Sequence, residues 1–403
     1  MCEKSVEAHG LVSDPRSLAQ ALESLRGAEA VALDTEFIRT DTYYPCLALI
    51  QISDGQTTWL IDPLAFDRDE LEPLISLLKD RQVVKVLHSC SEDLEVLRHA
   101  LGVLPEPFFD TQVAAAFVGL GFSLSYQALV REVEGVQLDK HETRSDWLQR
   151  PLSPEQLRYA AEDVEHLLAI HQTLRDKLIS LERFSWFEQD MDIMLKAAGE
   201  EARPEDYYQR VKGAWKLNRQ SLAVLRRLCN WREQEARTRD RPRNRIVADK
   251  ELLQLAMGQP RSWQQLSALG ASSGRDKAGL HPRVLRVYGD QLLALIEQAR
   301  ADAPESYPQV LPKPVPREQG GLMKQCKRLV QQKADSLDMA VEILVRKADL
   351  SFLLQSAVEG RANLSERIET TWRKGLVGDQ LLALVGEGLA ANSNAVQAEE
   401  GAK

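Results

Sequence analysis

The chain has 403 residues, 44% hydrophobic and 28% charged, the composition of a soluble globular protein with room for two to four domains. Its formal net charge of −9 argues against a polyanion partner only until the charge is mapped. Residues 207–300 hold 19 Lys/Arg against 8 Asp/Glu, 19 − 8 = +11, so the remainder carries −9 − 11 = −20 and one basic module sits on an acidic body. The five cysteines are scattered, with no C-x-x-C pair, which suggests neither a disulfide framework nor a zinc site. Met1–Glu7 lacks an apolar signal region and no apolar run could span a bilayer, so no membrane association and a cytoplasmic location are expected.

In chain order, Ser17–Leu25 reads as a short amphipathic helix leading into a strand, Val31–Arg39. Strand side chains alternate, so Asp34 and Glu36 share one face while Val31, Leu33 and Thr35 pack the other. Two adjacent carboxylates repel unless a hard cation neutralises them, although such a pair also occurs on solvated strand faces. Leu47–Ile52 and Thr57–Ile61 are strand-like and flank an Asp54-Gly55 hairpin turn. A helix follows over Leu71–Leu78, then a buried-type strand, Val83–Leu87. Immediately after it, His88-Ser-Cys-Ser-Glu-Asp93 turns from strand to helix, which puts Asp93 at a carboxyl strand end, where ligands gather in open α/β sheets. Glu92 and Glu95 compete with Asp93, and a first-turn acid is also a common partner of the helix dipole. Leu157–Leu168 is a helix announced by Ser153 and Pro154, with Tyr159 and Asp163 four apart on one face and Glu162 turned away.

In the second half, Leu181–Leu195 is helical and 200–206 is a polar connector. The basic module follows, with Leu217, Leu222, Leu225 and Leu228 ahead of Trp231 and its densest charge run at Arg237–Arg245. A proline-rich linker spans 301–321, a further helical region runs over 322–389, and the small, polar tail 390–403 reads as disordered. No Gly-Lys dipeptide occurs, which excludes a Walker A loop and a helicase motor.

Asp34-Thr-Glu36, His88 with Asp93, and Tyr159 with Asp163 resemble, in order and separation, the three exonuclease motifs of the DEDD superfamily. Arg158 stands where the histidine subclass carries its histidine, so Tyr159 matches the tyrosine subclass. The flanking runs Phe37–Gln51 and Ser145–Asp163 are similar to bacterial ribonuclease D, and the Leu228–Trp231 helix, the basic turn around Pro242 and Leu252-Leu253 resemble an HRDC domain. The resemblance implies an α/β ribonuclease-H-like mixed-sheet exonuclease domain over 1–200, then two all-α HRDC-type domains, a basic one over 207–300 and a divergent one over 322–389.

It also implies 3′-to-5′ exoribonuclease activity on RNA, with precursor transfer RNA and single-stranded 3′ ends as substrates and no obligate protein partner. Asp34, Glu36, Asp93 and Asp163 would hold two divalent ions, Mg²⁺ or Mn²⁺, with Asp34 bridging and Asp93 acting largely through water, and Tyr159 would orient the attacking water. Arg39, His88, Lys140, Arg144 and Arg150 flank the motifs, and Arg241, Arg243 and Arg245 crown the basic module, as candidate substrate contacts. Two rival readings stay open on the residues: a DNA exonuclease of the same chemistry, and a non-catalytic RNA-binding protein on an exonuclease fold.

Overall fold

The computed structural model describes residues 7–138, 145–270 and 280–388. Six strands, β1 (Glu7–Val12), β2 (Ala30–Ile38), β3 (Cys46–Ser53), β4 (Thr57–Ile61), β5 (Val84–Leu87) and β6 (Phe108–Asp110), form one sheet in the order β1-β4-β3-β2-β5-β6. The β2–β3 and β3–β4 pairs are antiparallel, whereas β1 joins β4, β5 joins β2 and β6 joins β5 in parallel, so the sheet is mixed. The β3–β4 hairpin turns where expected: Gly55 has φ +84, and the Asp54 carboxylate accepts the N–H groups of Gln56 and Thr57. Strands β1 and β6 lay outside the sequence expectation. The three-residue β6 is too short to show a period, and both are edge strands that take their conformation from the neighbour they pair with.

Among the described residues, eight α-helices accompany the sheet: α1 (Pro15–Ser24), α2 (Glu72–Lys79), α3 (Ser91–Leu101), α4 (Thr111–Phe117), α5 (Tyr126–Glu134), α6 (Pro154–Glu165), α7 (Leu167–Ser180) and α8 (Phe184–Gly199). The helix expected without interruption over 157–168 is broken at His166, between α6 and α7. Val31, Leu33, Ile50, Ile52 and Ile61 join the main core, while Leu49 and Leu60 meet Ala160, Leu157 and Tyr159 of α6 in a smaller cluster. The sheet therefore buries apolar side chains in both clusters, each full burial of such a side chain being worth about 1.5–3 kcal/mol.

A second compact unit comprises 39–44 and 201–314. Its helices are α9 (Arg219–Thr238), α10 (Arg243–Ile246), α11 (Asp249–Gly258), α12 (Trp263–Gly270) and α13 (Pro282–Ala301), packed around Leu222, Leu225, Leu228, Leu255, Leu292 and Ile296. The chain then returns to the first unit as α14 (Gly320–Ser336), α15 (Val341–Leu344), α16 (Lys347–Val358) and α17 (Glu366–Glu369). These helices share the main core of the sheet domain, to which they bring Leu322, Val330, Ile343, Leu344 and Leu353. Arg183, buried just before α8, donates to the carbonyl of Phe117 at 2.6 Å and to that of Leu337, which ties α4 to the end of α14.

Candidate active site

The site is built where three motifs meet one end of the sheet. Strand alternation puts Asp34 and Glu36 on the face of β2 that α6 covers, and α6 packs against β2, β3 and β4. A capping box starts α6: the Ser153 hydroxyl accepts the Gln156 N–H at 3.2 Å, and the Gln156 side chain accepts the Ser153 N–H at 2.8 Å. From that helix Asp163 enters the strand carboxylates. One ligand oxygen from each of Asp34, Glu36 and Asp163 can be chosen so that all three lie within 4.8 Å of one another. The Tyr159 hydroxyl, one turn before, donates to Asp163.

Asp93 comes from the first turn of α3 and is not one of that trio; its carboxylate accepts the hydroxyl of Thr35, the strand residue between the two acids. The turn that presents it is organised by a residue that sequence reasoning missed. Asp110, at the end of β6 and 1% exposed, accepts the N–H groups of Ser89 (3.1 Å), Cys90 (2.9 Å), Gln112 (2.8 Å) and Val113 (3.2 Å). It thereby holds Ser89 at φ +59 and joins the start of α3 to the start of α4. The available signal was an acid ahead of an apolar helix, Asp110-Thr-Gln-Val, which is an N-cap pattern.

The acids hold their protons unusually tightly. Burial, then repulsion from Asp93, Asp163 and Glu36, keeps the Asp34 carboxyl well above the usual range. Burial with Asp163 and Asp93 raises Glu36 to about 8, and burial raises Asp93 to about 6 against the opposing pull of the Thr35 hydrogen bond. Burial, the acids and its bond to Asp163 push the Tyr159 phenol far up, so it stays protonated. A hard divalent ion fits such a set: the donors are carboxylate oxygens, and positive charge removes the repulsion. Gln51, directly across from Asp34 on β3 and therefore on the same face, is fully buried, and among the described residues its amide nitrogen and oxygen both lack a hydrogen-bond partner. A hydrated cation beside Asp34 would give that amide the partner it lacks.

The expected substrate contacts separate into groups. Arg150 makes five hydrogen bonds inside the fold: two to Asp62, at 2.6 and 2.7 Å, and one each to the carbonyls of Ala48, Trp147 and Gln149. Its reach is committed to holding the 147–150 turn, whose Trp147 ring lies 6.0 Å from that of Tyr159. Both ring nitrogens of His88 are engaged, with Thr111 at 2.9 Å and the Leu124 carbonyl at 3.1 Å. Within the second unit, Arg243 pairs with the fully buried Glu233 at 2.6 Å, donates to the hydroxyls of Tyr43 and Tyr207, and stacks over both rings. The internal partners of these three share a cause: a sequence shows that a polar side chain is present, not which carbonyl, hydroxyl or buried acid it meets. Arg39, Arg241 and Arg245 are exposed, Arg39 reaching the Tyr43 carbonyl at 3.1 Å and Arg245 lying 3.7 Å from Asp41. Lys140 and Arg144 lie outside the described residues.

Comparison with known proteins places this geometry. Residues 10–179 match the family model of a 3′-5′ exonuclease, and 221–296 match that of the HRDC domain. Ribonuclease D of Pseudomonas paraeruginosa is 43% identical over 372 residues, covering 92% of this chain and 96% of that protein. The chain belongs to the ribonuclease D family. Ribonuclease D of Escherichia coli is 36% identical over 386 residues, 94% of this chain and 98% of that protein. The crystal structure of E. coli RNase D, described as an exoribonuclease involved in structured RNA processing, superposes with a TM-score of 0.84 at 35% identity, covering 94% of this chain and 99% of that one. The chain is accordingly a 3′-5′ exoribonuclease whose substrate is nucleic acid, with a mixed-sheet exonuclease domain, an HRDC domain and a helical C-terminal region. Membership in the family removes the DNA-exonuclease and non-catalytic alternatives. Among the described residues, no helix is long and apolar enough to cross a membrane.

Proposed function

We propose that this ribonuclease trims 3′ extensions of RNA, transfer RNA precursors among them, and releases 5′-mononucleotides. Asp34, Glu36 and Asp163, with Asp93 behind them, would hold two divalent ions at the site of hydrolysis. The observation that carries this reading is the convergence of three carboxylates from β2 and α6 with a tyrosine hydroxyl donated to one of them. The family and the E. coli relative's part in structured RNA processing support the substrate class.

When bound, Mg²⁺ or Mn²⁺ would neutralise the scissile phosphate and make water acidic enough to attack it. The chain's residues do the rest. Asp34, which lies among the neighbouring acids, would hold the ions together with Glu36 and Asp163. The Thr35 hydroxyl keeps Asp93 from turning away. Tyr159 is a neutral phenol whose O–H donates to Asp163, so its hydroxyl oxygen can accept a hydrogen bond from the attacking water. The exposed Arg39, Arg241 and Arg245 contact the RNA backbone, with Lys140 and Arg144 added from the sequence. The test incubates the full chain and its Asp34→Asn variant with 3′-extended transfer RNA, single-stranded RNA and DNA, with and without Mg²⁺. Mg²⁺-dependent release of 5′-mononucleotides from the RNAs by the unaltered chain alone is expected. Undiminished hydrolysis by the Asp34→Asn variant would overturn the metal assignment.

A further inference from the structure

Helix α6 ends at Glu165 and α7 begins at Leu167, so the helical run is interrupted at His166, three residues after Asp163. A third side chain stands in the break. The Tyr126 hydroxyl donates to the Glu162 carbonyl at 3.0 Å and accepts the His166 N–H at 3.1 Å. Residues 162 and 166 are the i and i+4 positions whose carbonyl and N–H would close the next helical bond, and insertion of a side chain into that ladder is a direct cause of a sharp kink. Tyr126 is rigidly placed: it is buried, its ring sits edge-on to His88 with centroids 5.8 Å apart, and the Ser125 cap fixes the start of its helix. The same helix makes a second contact at the break, where Glu134 meets Nδ1 of His166 at 2.5 Å.

We propose that Tyr126 is a positioning residue for the third motif: its hydroxyl, set between Glu162 and His166, fixes the break after α6 and thereby the direction in which Asp163 faces Asp34 and Glu36. Asp163 lies inside the turn that the hydroxyl splits. Without it, the Glu162 carbonyl and His166 N–H can close an ordinary helical bond. The turn then rewinds and carries the Asp163 carboxylate off the strand acids, while Tyr159, one turn earlier, stays in place.

This inference rests on the reading of Asp163 as a metal ligand, and the experiment separates the two. Tyr126→Phe keeps the ring and removes only the hydroxyl. In the full chain it is expected to lower kcat about 10- to 100-fold, the scale of a displacement near 1 Å, with KM for a single-stranded RNA changed less than about twofold. Half-saturating Mg²⁺, read by calorimetry on the full chain without RNA, should rise severalfold, a shift that a purely structural loss would not produce. Wild-type kcat and Mg²⁺ dependence in a folded Tyr126→Phe protein would overturn the proposal. Asp163→Asn, measured alongside, tests the underlying reading: near-normal activity there removes the metal role itself, whereas an inactive Asp163→Asn beside a normal Tyr126→Phe removes only the role of Tyr126. Should Tyr126→Phe fail to fold, Glu134→Gln weakens the second contact at the break. A rise in its Mg²⁺ requirement supports the proposal, and an unchanged requirement assigns Tyr126 to stability alone.

Discussion

Thr35 and Asp93 meet across 58 residues of sequence, the strand hydroxyl donating to the carboxylate of the second motif. Thr35 lies between two acids of the first motif, so a single strand position links both motifs. The bond favours the ionised form of Asp93 and opposes the burial that otherwise raises it to about 6. Thr35→Val keeps the shape and removes the donor. Loss of a hydrogen bond to a charged group costs about 1.5–3 kcal/mol, roughly tenfold or more in rate if the charge is needed. The acidic limb of the pH–activity profile should therefore move to higher pH, with a larger loss at pH 6.5 than at pH 8.5. Equal losses at both would show that Thr35 acts only through packing.

Metal binding should itself depend on pH. Glu36 titrates near 8 in the metal-free protein, and the Asp34 carboxyl is also raised. Binding a cation requires the ionised forms and so releases protons. Half-saturating Mg²⁺, read by calorimetry, should fall as pH rises from 6 to 8, by up to about tenfold per unit for each proton displaced, and level off above. Stability runs the other way. A carboxyl whose folded pKa is raised contributes stability below its unfolded value of 4.5 and loses it as pH climbs through about 8. The metal-free protein should melt at a lower temperature at pH 8.5 than at pH 6, and Mg²⁺ should recover more at the higher pH. Mg²⁺ affinity independent of pH over this range would contradict the assignment of these acids.

Tyr159→Phe removes one hydroxyl from the site while leaving the ring against Trp147. Its expected effect is a fall in kcat of about 10²–10⁴-fold, the usual scale for a group that handles the proton of a reacting water, with Mg²⁺ half-saturation unmoved. A weakened metal requirement instead would make Tyr159 a support for Asp163 rather than for water.

How much of this was legible in the sequence depends on how local each cause is. Asp34, Glu36, Tyr159 and the Ser153 cap could be placed from strand and helix periodicity because each is set by its own neighbours. Asp163 could be found, but the break at His166 could not, since the hydroxyl that makes it comes from Tyr126, 40 residues away. Asp110 hid for the same reason: four amide partners in two segments leave only a short N-cap pattern in the string. The C-terminal helices were visible as helices, yet nothing in their spacing shows that Leu322 and Ile343 complete the core of the sheet domain.

That shared core makes Arg373 a test of stability. It is fully buried, pairs with Asp190 through both terminal nitrogens, donates to the Ile343 carbonyl at 2.7 Å and lies 4.1 Å over the Trp372 ring, which stacks on Trp186. Arg373→Met leaves the Asp190 carboxylate without its partner in a largely buried place, a loss of about 3–5 kcal/mol. Denaturant titration should show it, while Lys374→Met, which removes an exposed ion pair with Glu369, should leave stability almost unchanged. Similar small losses for both would mean that the C-terminal helices are not held through this pair.

The last expectation concerns how an acidic body captures RNA. Several cations of 207–300 are engaged within the second unit: Arg227 with Asp302, Arg232 with Asp249, Arg239 with Glu235 and Arg243 with Glu233. The exposed cations, including Lys212, Lys216, Arg241 and Arg245, the last 3.7 Å from Asp41, form the surface open to phosphates. Reversing Arg241 and Arg245 to Glu should weaken binding of transfer-RNA-sized substrate without changing cleavage of short oligonucleotides. It should also flatten the dependence of log affinity on log salt, by about 0.7 for each single-strand phosphate that is no longer neutralised. Arg243→Glu should behave differently. It sets a second carboxylate against fully buried Glu233 and removes the partner of both tyrosine hydroxyls, so the second unit should lose about 3–5 kcal/mol. An unchanged salt slope after reversal of Arg241 and Arg245 would leave the basic face as a solvated surface and move RNA capture elsewhere on the chain.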